Sequence, residues 1–231
     1  MNNTDFIDTG LIEYRDAWEY QKQLHKKLLL NRSPYYLIFC EHPHVYTLGK
    51  NGRSNNLLIN SDYLRSIKAE FVETDRGGDI TYHGPGQLVG YPIIDLNSSG
   101  YGIKDYVSKL EQSVIDTLIH YNIRSVRIPG ATGVWITGNG LPDRKICAIG
   151  VRVSRWITMH GFAFNIHTDL KYFNYINPCG FTDKGVTSLS EEIGFCPDMI
   201  EVKNILKINI AQQLKLNLKQ KERENGKTMD F

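Results

Sequence analysis

The sequence predicts an α+β fold, with a mixed β-sheet packed with helices. Three observations lead there. Strand-like segments outnumber helical ones. The helical segments sit towards both ends and in the middle instead of alternating with every strand. The chain has 231 residues, 41% hydrophobic and 23% charged, which is enough apolar material to bury a full core. A single domain over residues 1–218 is expected, with 219–231 as a polar tail.

The elements follow in order. Tyr14, Trp18, Gln21, Leu24 and Leu28 recur on one face of a first helix. Pro34 stops it, because a proline disfavours helical backbone at the residue before it, Ser33. Strands are expected at Tyr35–Glu41 and Val45–Leu48, a short one at Ile80–His83 between tight turns, and another at 87–95. A second helix carries Ile103, Val107, Leu110, Val114 and Leu118 on one face. Strands at 145–153 and 156–165, separated by a polar turn around Ser154-Arg155, read as a hairpin. Val202, Leu206, Ile210 and Leu214 mark the last helix. Beyond it, Lys215, Lys219, Lys221, Arg223 and Lys227 mix with Glu222, Glu224 and Asp230, which reads as a solvated end.

Composition excludes several functions. Lys+Arg 27 against Asp+Glu 25 leaves a charge of +2, which asks for no nucleic-acid partner. The longest apolar run, residues 35–40, is far short of the roughly 20 residues of a membrane helix, so no membrane role is expected. The first residues lack the basic and apolar regions of a secretory signal, so a cytoplasmic protein is expected. Cys40, Cys147, Cys179 and Cys196 form no CxxC pair and read as reduced thiols.

One segment is too unusual for scaffold alone: Arg76-Gly77-Gly78-Asp79-Ile80-Thr81-Tyr82-His83-Gly84-Pro85-Gly86-Gln87. Its glycines allow close backbone approach to a ligand, and their N–H groups suit an anion or a polarised carbonyl. It is neither a Walker loop nor a dinucleotide fingerprint. In the strand that follows Arg144, the alternation puts Lys145, Cys147, Ile149 and Val151 on one face. A lysine set among apolar residues loses hydration, which lowers an ammonium pKa, although a lysine there also fits a solvated strand edge. Asn177-Pro178-Cys179-Gly180-Phe181 puts a thiol on a sharp turn, which is how a nucleophile is presented. Cys40 and Cys147 read as small core residues, and Cys196 as a loop thiol with no chemistry nearby. His83 and His160 are further acid–base candidates. His42 and His44 lack the acidic or thiol partners of a metal site, so no metal is expected.

Taken together and in this order, five motifs resemble the lipoyl(octanoyl) transferase family: Glu41-His42-Pro43-His44-Val45-Tyr46-Thr47-Leu48-Gly49, residues 76–87, 145–150, 160–165 and 177–180. Two positions are less typical: His44 stands where a second proline or a small residue is usual, and Phe164 where leucine is common. The resemblance implies the fold shared by the catalytic domains of biotin and lipoate protein ligases. It implies a catalytic pair, Cys179 and Lys145. It also implies an acyl pocket made by Arg76, Gly77, Gly78, Asp79, Ile80, Thr81, Tyr82 and His83, by Ala148, Ile149 and Gly150, and by Gly161, Phe162 and Ala163.

The activity implied is transfer of an octanoyl group from octanoyl-acyl carrier protein to a lysine of a lipoyl domain, through an acyl-cysteine thioester, as the first step of endogenous lipoate synthesis. The acceptors implied are the lipoyl domains of 2-oxoacid dehydrogenase complexes or the glycine cleavage H protein. No cofactor is implied, because thioester exchange needs no ATP. Burying the octanoyl tail supplies roughly 5–6 kcal/mol at ~0.8 kcal/mol per CH₂. An error of one methylene is rejected only about 10-fold or somewhat more. Two other readings stay open at this point: an ATP-dependent lipoate or biotin ligase on the same fold, and a module that binds an acylated carrier without turning it over.

Overall fold

The apolar run at Tyr35–Glu41 is buried through Cys40 and forms the centre of the molecule. The computed structural model describes residues 2–138, 140–177 and 184–221. In chain order the elements are β1 (Asn2–Leu11), α1 (Tyr14–Asn31), β2 (Tyr35–Glu41), β3 (Val45–Leu48), α2 (Ser61–Ser66), β4 (Glu70–Glu73), β5 (Ile80–His83), β6 (Gln87–Ile93), α3 (Leu96–Ser99) and α4 (Ile103–His120). They continue with β7 (Val126–Ile128), β8 (Ala131–Ile136), β9 (Arg144–Ser154), β10 (Ile157–Asn165), β11 (Gly185–Val186), α5 (Leu189–Ile193), α6 (Met199–Leu214) and β12 (Leu216–Gln220).

The main sheet is nine-stranded and mixed, in the order β12-β1-β2-β6-β10-β9-β8-β7, with β11 pairing β9. β1 runs parallel to both β12 and β2, while the strands from β2 through β7 are joined antiparallel. A smaller sheet, β4-β3-β5, stands apart. The core joins the central strands to Leu110, Val114 and Leu118 of α4 and to Val202, Leu206, Ile210 and Leu214 of α6. Helix α1 runs along β6 and β10 and buries Tyr14, Ala17, Gln21, Leu24 and Leu28. It ends at Arg32, whose left-handed backbone (φ 60°) returns its N–H to the Leu28 carbonyl at 2.8 Å.

The β9–β10 hairpin closes through Arg155 and Trp156, both at positive φ (52° and 66°), the turn geometry that matches the twist of paired strands. Edge strand β12 and its neighbour β1 are elements that the residue pattern does not mark. β12 takes up Leu216 to Gln220, so it crosses the boundary expected at residue 218, and it pairs in parallel with the start of β1. Only Leu216 of its five residues is buried, and Asn217, Lys219 and Gln220 are polar, so it carries little apolar signal.

Candidate active site

A cleft of about 950 Å³ opens between the main sheet and the segment that leads into β5. Its floor comes from strand alternation. Ala148 pairs with Ala163 and Gly150 with Gly161 across β9 and β10, so small residues meet on one face of the sheet. The neighbouring residues point the other way: Phe162 borders the cleft, but its ring packs edge-on against Phe39 at 6.2 Å, within the core. Ile149 likewise packs against the core while bordering the cleft.

Lys145 reaches this floor because the strand is irregular. β8 and β9 pair Val134 with Cys147 but Trp135 with Lys145, so Ile146 is an extra residue on β9. A slip of one residue reverses a side chain's face. The alternation that put Lys145 beside Cys147 therefore fails: Cys147 goes into the core, while Lys145 lies half-buried in the cleft wall. Its ammonium sits 4.7 Å from the Trp135 ring centre, and that of Lys184 sits 5.5 Å from the same ring. Gly133 of β8 (φ +125°) makes room. A Cβ there would come 2.5 Å from the Cys147 carbonyl oxygen and 3.4 Å from Lys145 Cδ and Cε. Neither this bulge nor Gly133 was legible in the pattern of residues.

The glycine-rich segment forms the opposite wall. Gly77 donates its N–H to the Val151 carbonyl at 3.0 Å, fastening the segment to β9. This close approach depends on Gly150, where a Cβ would meet the Gly77 carbonyl oxygen at 2.9 Å. Arg76 is buried and borders the cleft: its guanidinium donates to the Thr47 carbonyl (2.6 Å), to Thr47 Oγ1 (2.8 Å) and to the Gly77 carbonyl (3.0 Å). Asp79 accepts two hydrogen bonds from Asn56 Nδ2, at 2.9 and 2.8 Å. Gly78, Ile80, Thr81 and His83 also line the cleft. Tyr82 does not. Its side chain points into the small-sheet core, stacks on Tyr172 at 4.9 Å and bonds its hydroxyl to His44 Nδ1 at 2.7 Å.

Both acid–base candidates border the cleft and are held by neighbouring side chains. His83 Nδ1 is engaged by Gln87 Oε1 at 2.7 Å and Nε2 by Thr47 Oγ1 at 3.3 Å. Burial, with Arg76 and His42 adjacent, pushes its pKa well below the usual imidazole range. His160 adopts φ 57° within β10 and directs Nε2 to Asp75 Oδ1 at 2.8 Å. Burial lowers its pKa against the pull of Asp75, which also pairs with Arg152. His42 is likewise held neutral, pushed down by burial to about 4 between the Ile12 carbonyl and the Tyr91 hydroxyl.

Cys179, the other member of the expected pair, lies outside the described residues. The residues flanking that stretch, Asn177 and Lys184, both line the cleft. The Asn177 N–H is fixed to the Asn56 carbonyl at 2.9 Å, and beyond Lys184, β11 pairs Val186 with Lys145. Among the described residues, Cys40 and Cys147 are buried, and burial raises both thiol pKa values well above the usual range. Cys196 is exposed and does not border the cleft.

The chain is similar to several known proteins in sequence and fold. The family model of the lipoyl protein ligase A/B catalytic domain matches residues 13–211. The octanoyltransferase of Bacteroides fragilis is 52% identical over 204 residues, covering 86% of this chain and 92% of that one. The octanoyltransferase of Cytophaga hutchinsonii is 49% identical over 225 residues, covering 91% and 92%. Among solved structures, a bi-partite lipoate protein ligase from Thermoplasma acidophilum aligns with a TM-score of 0.72 at 13% identity, over 97% of this chain and 89% of that one. Lipoate-protein ligase A bound with ATP gives 0.71 at 14%, over 97% and 90%. The biotin protein ligase of Aquifex aeolicus, in complex with biotin and ATP, gives 0.53 at 14%, over 93% and 71%. These distant structures share the fold, which is the mixed sheet of the lipoate and biotin ligases expected from the sequence.

Proposed function

The chain belongs to the octanoyltransferase family within the lipoyl protein ligase A/B catalytic domains, and from that premise we propose that it moves an octanoyl group from octanoyl-acyl carrier protein to the side-chain amine of a lysine on a lipoyl domain. The observation that carries this reading is a floor of small residues, Ala148, Gly150, Gly161 and Ala163, in the same cleft as the Lys145 ammonium. The Ala148 and Ala163 methyl groups are small enough to leave an acyl tail room in the cleft, whereas the space a Cβ would take at Gly150 and Gly161 is filled by the Gly77 carbonyl and by β6. The reactive end needs a charged partner at the edge of the cleft.

Cys179 is the proposed nucleophile and Lys145 its partner. The ammonium favours the thiolate over the thiol, since a nearby cation lowers a thiol pKa. The thiolate attacks the donor's carbonyl carbon, a C–S bond forms to Cys179, and the C–S bond to the carrier breaks. Lys145 gives its proton to the departing carrier thiolate. The neutral amine then accepts a proton from the incoming lysine as that lysine attacks the acyl-cysteine. A C–N bond forms, the bond to Cys179 breaks, and the thiolate and ammonium return to their starting state. The sum is thioester plus amine giving amide plus thiol, with no nucleotide consumed. Asn177 and Lys184 at the cleft support a thiol presented from the stretch between them.

The test is incubation with octanoyl-carrier protein in the absence of ATP, followed by intact mass and peptide mapping. An octanoyl adduct on Cys179, passed on to added lipoyl domain, is the expected result. Strict dependence on ATP and free octanoate would instead mark a ligase, and a bound carrier with no adduct would mark a binding module.

A further inference from the structure

We propose that Asn165 is a positioning residue for Lys145, through a buried line of hydrogen bonds that also reaches the Arg76 segment. This inference rests on the reading of Lys145 given above.

The Lys145 carbonyl accepts the Thr187 N–H at 3.0 Å. The Thr187 carbonyl, which can only accept, takes Asn165 Nδ2 at 2.9 Å. That fixes Asn165 Oδ1 as the acceptor for Gln87 Nε2, at 2.9 Å. Gln87 Nε2 also donates to the Tyr82 carbonyl at 3.1 Å, so Gln87 Oε1 is an acceptor and takes His83 Nδ1–H at 2.7 Å. His83 Nε2 is then the lone-pair nitrogen and receives the Thr47 hydroxyl at 3.3 Å. Thr47 Oγ1 in turn accepts from Arg76 at 2.8 Å. Each group has one possible role, and the whole line has one arrangement.

The setting makes this more than packing. Thr47, Arg76, His83, Gln87, Asn165 and Thr187 are all buried. Inside the protein an unpaired polar group is costly, so removing one member disturbs its neighbours. Asn165 stands at the junction, because its side chain joins β10 to the residue that holds the Lys145 carbonyl. β11, which supplies the pairing with Lys145, has only Gly185 and Val186, too short to hold its register unaided. A second anchor holds the same end of β9. Thr187 Oγ1 donates to Glu192 at 2.6 Å, and Glu192 receives Arg144 through two bonds of 2.6 and 2.7 Å.

The test uses the full chain with octanoyl-carrier donor and lipoyl-domain acceptor, comparing wild type with Asn165→Leu, Asn165→Asp and Lys145→Ala. Leucine keeps the volume and removes both bonds. Aspartate keeps the acceptor for Gln87 but sets an oxygen against the Thr187 carbonyl, so it severs the link to Lys145 specifically. Both Asn165 variants are expected to lose at least ~10-fold in kcat, since a misplacement of about 1 Å costs up to 10²-fold. KM for the donor should stay within about twofold, and the acid limb of the pH–rate profile should move to higher pH as Lys145 loses its grip on the thiolate. Melting temperature, read in parallel, corrects for unfolded protein. If leucine prevents folding, aspartate carries the test. A rate loss that only follows the folded fraction, with the acid limb unmoved, overturns the proposal for Asn165 while leaving the transferase reading intact. Wild-type rate in Lys145→Ala overturns both.

Discussion

The two halves of β9 do opposite work. The first half, Arg144 to Ile146, is gripped from all sides: β8 and β11 pair with it, Arg144 is locked to Glu192, and the Lys145 carbonyl is held by Thr187. The second half, from Ala148 on, offers small residues that pair with Ala163 and Gly161 and border the cleft. The extra residue Ile146 divides them and turns Lys145 onto the open side. One strand can thus hold a charged group rigidly and leave room for an apolar chain, because the first task is met by partners and the second by side chains too small to fill the cleft.

The largest way to break this contrast is Lys145→Ala. Octanoyl transfer should fall by roughly 10²–10⁴-fold, the usual contribution of a positioned acid–base group, while the fold survives; a loss under tenfold in single-turnover assays would remove Lys145 from the chemistry. Next is the anchor beside it. The Arg144 and Glu192 side chains are only 12% and 11% exposed, so Glu192→Ala leaves a largely covered cation without its partner and should cost about 1–3 kcal/mol in denaturant unfolding. The same pair predicts a pH dependence. Burial pushes the Glu192 carboxyl up, but the bonds from Arg144 and Thr187 outweigh it and hold its pKa below the usual 4.5. Its stabilisation is therefore present above pH 4.5 and lost as pH falls through the depressed folded value. The stability gap between wild type and Glu192→Gln should narrow over that acid range, and a gap that stays constant would show that the carboxylate is not the source.

In the open half the expected effects are no larger. A Cβ on Gly161 would lie 2.1 Å from the Gly90 carbonyl oxygen and 2.9 Å from Pro92 Cδ, so β6 must move. Gly161→Ala should cost about 1–3 kcal/mol by thermal or urea unfolding. Ala163→Val, which adds methyl groups to the floor, should shift preference towards shorter acyl donors by about 10-fold per methylene lost, read as the ratio of kcat/KM between hexanoyl and octanoyl carriers. An unchanged ratio would place the tail elsewhere in the cleft.

Much of this was legible where burial is continuous or periodic. β2, β3 and β5 run over the residues that the pattern marks, and the last helix buries the four residues that its period selects. β1 was not legible, because polar residues interrupt its apolar ones, and β7 and β8 gave no distinct signal either. At the site, the glycine-rich segment and Lys145 stand out by composition and by family resemblance. Their geometry does not, because it depends on pairing between distant strands. Strict alternation put Lys145 on the face of Cys147, and only the register slip against β8 reverses it. Tyr82 sits within the marked segment but faces the small-sheet core, because β5 alternates between two environments. The roles of Gln87 and Asn165 arise from contacts across 78 residues of sequence, which no local pattern encodes.

The most direct test of the account is the mass of the protein after a short exposure to octanoyl-carrier protein without ATP, with the modified residue mapped in wild type and in Lys145→Ala. One octanoyl group on Cys179 is expected in the wild type, formed much more slowly when the lysine is gone. An acyl group on another residue, or equal labelling in both proteins, would contradict it.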